Sequence, residues 1–172
     1  MNVSVSNRQS GLGVSLSRVA DLAGFLLRRA SRSMPPAGLS GLSLTIEDDE
    51  GIRAVNRSFL GHDETTDVIS FRYDALPGEA VSGPIGDVMV NARRALAVGS
   101  RFGGVAAELA LYIAHGIDHL TGADDRTTTE RRRMRRRELR WLREAGRAGL
   151  LRGLVQGPGR ARRSHRSDTR PT

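Results

Sequence analysis

An apolar run at residues 109–113 leads into two histidines four apart, His115 and His119, and the chain then meets Gly122. No other stretch limits the possible folds as much. As a helix, it projects both imidazoles from one face, one turn apart. Gly122 is suited to end that helix in a left-handed turn. Asp124 and Asp125 follow at once, near enough for one of them to add an oxygen ligand to a metal held by the two rings. Two nitrogens and a carboxylate leave a coordination position open, which distinguishes a catalytic metal site from a closed structural one. The same histidine spacing also occurs in surface pairs and in buried pairs satisfied by hydrogen bonds, so the rest of the chain has to decide.

A length of 172 residues predicts one domain with a substantial core. The absence of cysteine excludes disulfides, thiolate-bound zinc and a thiol nucleophile. No apolar run approaches the ~20 residues that cross a bilayer. The first residues lack a charged start followed by an apolar stretch, so no secretion signal is expected and cytoplasm is the expected location. The net charge is +8, carried by arginine without any lysine, and much of it lies beyond residue 126. Arginine grips phosphate with a planar fork of donors, so nucleic acid is the natural partner of such a charge.

Val3 and Val5 predict a first strand. Residues 16–30 predict an amphipathic helix capped by Ser15 and stopped by Pro35-Pro36. Leu42, Leu44 and Ile46 alternate with polar residues, as in a half-buried strand. Asp48 or Asp49 can cap a short helix whose apolar stripe is Ile52, Val55 and Phe59. Residues 66–71 and 85–90 read as strands, with a loop at 74–84 between them. Asn91 can cap a helix to about residue 101. The histidine helix spans about 106–120. Thr128 or Thr129 can cap a last helix to about 145, with Met134, Leu139, Trp141 and Leu142 as its apolar positions. The expected fold is α+β: a single domain over residues 1–148, with a small mixed sheet packed against helices and the metal site at the end of a central helix. Residues 149–172 are expected to form a disordered basic tail.

Three stretches together resemble one family. They are Asn56-Arg-Ser-Phe-Leu-Gly-His-Asp-Glu-Thr-Thr-Asp-Val-Ile-Ser-Phe71, Gly86-Asp-Val-Met-Val-Asn91, and His115-Gly-Ile-Asp-His-Leu-Thr-Gly-Ala-Asp-Asp125. In order and spacing they are similar to the YbeY family of bacterial rRNA maturation factors, metal-dependent endoribonucleases. The resemblance implies one zinc ion on His115, His119 and Asp125, with Asp125 standing where the family has a third histidine. Carboxylate oxygen binds zinc at a distance similar to imidazole nitrogen. Its added negative charge weakens the ion as a Lewis acid and shifts preference toward harder metals such as manganese. Asp118 replaces a leucine of the family pattern and reads as a helix-face charge without a role. Asp124 matches the family's aspartate and is expected to orient a ligand.

The resemblance also implies Arg57 as the cation that meets charge developing on the phosphoryl group. His62 reads as incidental, while Asp67 and Ser70 are expected to shape the strand beside the site. Arg131, Arg132, Arg135 and Arg136, just past the metal site, are candidate RNA-binding residues. Single-stranded RNA is the implied substrate. The implied process is maturation of the 3′ end of 16S rRNA in the small subunit, with ribosome quality control. Ribosomal components are then partners, and neither a membrane nor a small-molecule cofactor is expected. A zinc peptidase is disfavoured, because the position that carries its glutamate base is Gly116. The alternative is an RNA-binding ribosome-assembly factor in which Asp125 has weakened catalysis.

Overall fold

The computed structural model describes residues 2–33, 39, 41–73, 86–99 and 103–158. Strands β1 (Asn2–Asn7) and β2 (Leu12–Val14) precede helix α1 (Leu16–Ser33). Strand β3 (Gly41–Glu47) leads into the short helix α2 (Asp49–Val55), which runs on as a π-helical turn, Asn56–Leu60. Strands β4 (Val68–Arg72) and β5 (Gly86–Asn91) are followed by helices α3 (Ala92–Gly99), α4 (Val105–Leu120) and α5 (Thr128–Arg147). A short strand β6 (Val155–Pro158) pairs antiparallel with β2. The main sheet has the order β1-β3-β5-β4, with β1, β3 and β5 parallel and β4 antiparallel to β5. The mixed sheet and the helices against it are the expected α+β arrangement.

Helix α4 is the centre. Residues 109–114 are buried without a break, so the helix is enclosed on all sides and does not merely float one face on the core. It contacts β4, β5, α1, α3 and α5. Gly116 lets it sit close to the sheet: a Cβ there would lie 2.7 Å from Val88 Cγ1 and 2.9 Å from Val68 Cγ2. Valine is stiff at χ1 and cannot swing aside cheaply. Gly116→Ala is therefore expected to destabilise the protein by about 1–3 kcal/mol despite the better helix propensity of alanine. Urea unfolding would read this as a lower midpoint.

Some local expectations are corrected. Strand β3 is not half-buried: only Ser43 keeps partial exposure, because the strand lies between β1 and β5 and is covered on both faces. Asp48 caps α2, accepting from the Gly51 N–H at 3.0 Å. The stripe fails at Phe59, which is 72% exposed while Ile52 is fully buried. The π-helical turn after Val55 rotates later residues off the 3.6-residue face. It ends at Gly61, whose φ of 73° favours glycine. The Asn56 amide donates to the Glu64 carbonyl at 2.8 Å and ties down the following loop.

Asn91 does cap α3, accepting from the Arg94 N–H at 3.0 Å. Helix α5 is capped by Thr127 rather than Thr128 or Thr129. The Thr127 side chain accepts from the Glu130 N–H, and Glu130 accepts from the Thr127 N–H in return. Met134, Trp141 and Leu142 are buried as expected, but Leu139 is exposed. The tail does not begin at 149. Leu154 is fully buried, its carbonyl accepts from the Ser15 N–H, and β6 follows. The described fold thus continues through residue 158. Pro35-Pro36, the loop at 74–84 and residues 159–172 lie outside the described residues.

Candidate metal centre

Helix α4 presents His115 and His119 one turn apart, as the spacing requires. Each ring is held at Nδ1 by an oxygen. His115 Nδ1 lies 2.6 Å from Glu138 Oε1, on a carboxylate only 2% exposed. His119 Nδ1 donates to the Ala123 carbonyl at 3.0 Å. Oxygen acceptors at both Nδ1 atoms favour the tautomer protonated there, so that Nε2 is the nitrogen of each ring left to ligate a metal. The two Nε2 atoms face each other at 3.1 Å. Two nitrogens bound to one tetrahedral zinc are about 3.3 Å apart. Asp125 Oδ2 lies 4.0 Å from His115 Nε2, and the three donor atoms fall within 4.8 Å of one another. The donor set therefore fits a divalent ion: two facing lone pairs and an anionic oxygen.

The turn after α4 builds this arrangement. Gly122 adopts φ 92°, and the N–H groups of Gly122 and Ala123 return to the carbonyls of His119 and Asp118. That reversal carries the Ala123 carbonyl back to the His119 ring. Asp124 then accepts from the N–H groups of Asp125 and Arg126 at 2.8 and 3.3 Å. It acts on the backbone that carries Asp125 and touches neither histidine in this structure. The Arg126 side chain reaches its other oxygen at 2.9 Å.

Burial pulls the His115 pKa down, but the Glu138 hydrogen bond and charge, with Asp67 and Asp125, hold it above its ordinary value. The site attracts a cation. Glu138 was not anticipated from the sequence. It is the one carboxylate within the arginine-rich residues 131–143, and its contact with His115 spans 23 residues of chain. Glu138→Gln keeps a hydrogen-bond partner but loses the charge, and is expected to weaken divalent-ion binding about 10–100-fold without unfolding the protein. Titration calorimetry against the wild type would measure it.

Asp118 is not a role-free surface charge. It is fully buried, and Arg137 grips it with contacts of 3.0, 3.0 and 2.7 Å. Burial raises its pKa while the guanidinium works against that rise. The Arg137 guanidinium also lies 5.7 Å from the centre of the Trp141 ring.

The histidines stand between two clefts. Asn56, His62, Ser70, Arg72 and His119 are among the residues lining one of about 660 Å³. Asp67, His115, Asp125, Arg131, Arg135 and Glu138 are among those lining the other, of about 430 Å³. His62 is thus part of a wall beside the site. Ser70 lines the His119 cleft, and Asp67 lies on the His115 side. The four candidate RNA-binding arginines divide: Arg131 and Arg135 line the cleft, whereas Arg132 and Arg136 lie on the outer face of α5. Arg57 lines neither cleft; its side chain is 67% exposed and approaches Asp63 at 3.9 Å. Arg72 lines the same cleft as His119 and donates to the Leu120 carbonyl at 2.9 Å.

The family model for endoribonuclease YbeY matches residues 4–146. Curated proteins of that name are similar to this chain. One from Anaeromyxobacter sp. (strain Fw109-5) is 40% identical over 75% of this chain and 66% of its own length. One from Myxococcus xanthus (strain DK1622) is 34% identical over 84% of this chain and 49% of its own. One from Pelotomaculum thermopropionicum is 34% identical over 80% and 93%. The chain thus spans about half to two thirds of the length of the first two. The solution structure of TM1509 from Thermotoga maritima shares the fold, with a TM-score of 0.55 at 20% identity, covering 92% of this chain and 99% of that one.

Proposed function

The chain belongs to the endoribonuclease YbeY family, and on that premise we propose that it is a metal-dependent endoribonuclease that cuts single-stranded RNA. The observation that carries the reading is the pair of facing Nε2 atoms, each ring fixed through Nδ1, with Asp125 beside them. His115, His119 and Asp125 would hold one ion, zinc or a harder divalent metal. When bound, such an ion supplies Lewis-acid stabilisation of the negative charge that phosphodiester cleavage builds.

The chain's own residues do the rest. Glu138 and the Ala123 carbonyl fix the ring tautomers. Asp124 holds the backbone that carries Asp125. Arg72, Arg131 and Arg135 line the clefts on either side and are placed to hold phosphates of a strand crossing the site, more directly than Arg57. Gly116 follows the first histidine and provides no proton acceptor, which argues against peptide hydrolysis. In the cell we assign the activity to the cytoplasm, to maturation of the 3′ end of 16S rRNA and to ribosome quality control, with the small subunit as partner; that assignment rests on the family resemblance.

The test is cleavage of a single-stranded RNA and its duplex, with and without chelator. The expected result is cutting of the single strand, lost on chelation and restored by a divalent ion. Cleavage that survives chelation overturns the metal-dependent reading. Binding without cleavage, unchanged by chelator, favours the assembly factor.

A further inference from the structure

Beyond the clefts, the outer face of α5 carries one arginine per turn: Arg132, Arg136, Arg140, Arg143 and Arg147. Successive separations of four, four, three and four residues keep them in one line. The line spans about 22 Å along the helix. All five are exposed, and among the described residues none has a carboxylate at ion-pair distance. The helix's own acids are committed elsewhere. Glu130 closes the cap, Glu138 holds His115, and Glu144 pairs with Arg29 at 2.9 Å. Like charges at i, i+4 destabilise a helix by about 0.2–0.5 kcal/mol per pair. The line therefore does not serve the helix; its charge is uncompensated and faces outward.

Two facts choose its occupant. The line starts beside Arg131 and Arg135, in the wall of the His115 cleft, so a polyanion leaving that cleft meets it directly. The opposite face of α5, with Met134, Trp141, Leu142 and Ala145, is buried in the protein, and Leu139 is the one large apolar side chain the helix exposes, too little to insert into a lipid surface. Guanidinium forks suit phosphate oxygens.

We propose that this arginine line is an RNA exosite. It holds the phosphate backbone of the strand to one side of the cleavage point, so that long RNAs bind more tightly than short ones. The proposal rests on the endoribonuclease reading and extends it to substrate length.

The experiment replaces all five arginines by glutamine, which keeps helix propensity. Circular dichroism would check the fold. Steady-state cleavage is measured on a long single-stranded RNA and on a short one that covers only the cleft. The expected result is a KM for the long RNA raised at least about tenfold, with kcat unchanged and the short RNA unaffected. The plot of log affinity against log salt should flatten by about 3.5 if all five contact phosphates, since each phosphate contact on a single strand contributes about 0.7. An unchanged KM and salt slope overturns the exosite, as does an equal loss on both lengths. If the wild type cuts no RNA, the endoribonuclease reading fails, and equilibrium binding of the long RNA decides on the line alone: weaker binding by the variant supports it, and equal binding overturns it. Lost binding to anionic vesicles with RNA binding intact also overturns it, in favour of a lipid surface.

Discussion

Arg137→Ala is expected to lower the unfolding free energy by about 3–5 kcal/mol, because it strands a buried charge. Asp118 is fully buried, and its described side-chain partner is the Arg137 fork. For a domain of this size the loss corresponds to a melting temperature lower by roughly 6–20 °C. The double variant Asp118→Leu/Arg137→Leu is expected to recover most of it, since hydrophobic residues of similar volume often replace a buried ion pair without cost. Leucine is also the residue of the family pattern at position 118. If the single variant melts like the wild type, the pair is not buried as described.

His119→Ala is expected to reduce RNA cleavage at least about a hundredfold, on the order of 3 kcal/mol of transition-state stabilisation. The loss should persist at divalent-ion concentrations that saturate the wild type. The fold should survive, because the His119 ring contributes a hydrogen bond to Ala123 and half of the facing pair rather than core packing. A hundredfold fall in kcat with an unchanged melting curve separates a ligand from a structural residue. Retained cleavage would mean that His119 is not needed for the chemistry.

Most of what positions the site was legible because it obeys short-range rules. The i, i+4 histidines, Gly122 and the Asp pair lie within eleven residues, and local geometry alone brings them together. The sheet strands followed from β-branched residues and alternation. Glu138 and the Asp118–Arg137 pair were not legible, because they join residues 19 to 23 apart in the chain. Only the packing of α5 on α4 reveals which carboxylates are enclosed, and in a run of arginines a lone acid or base looks like surface. Phe59 failed for another reason: a π-helical turn leaves no mark in a 3.6-residue pattern. The order of residues 150–158 was hidden because β6 is a four-residue strand that pairs with β2, near the other end of the chain. Arg57 came from the resemblance, whereas the cleft walls carry Arg72, Arg131 and Arg135.

The most direct measurement is the divalent-metal content of the wild-type protein, purified without added metal and then titrated with zinc and with manganese. Binding of one equivalent, competing with protons and absent from His119→Ala, is the result predicted by two facing imidazoles and a carboxylate. A protein that binds neither ion would contradict the metal centre, and with it the proposed metal-dependent cleavage.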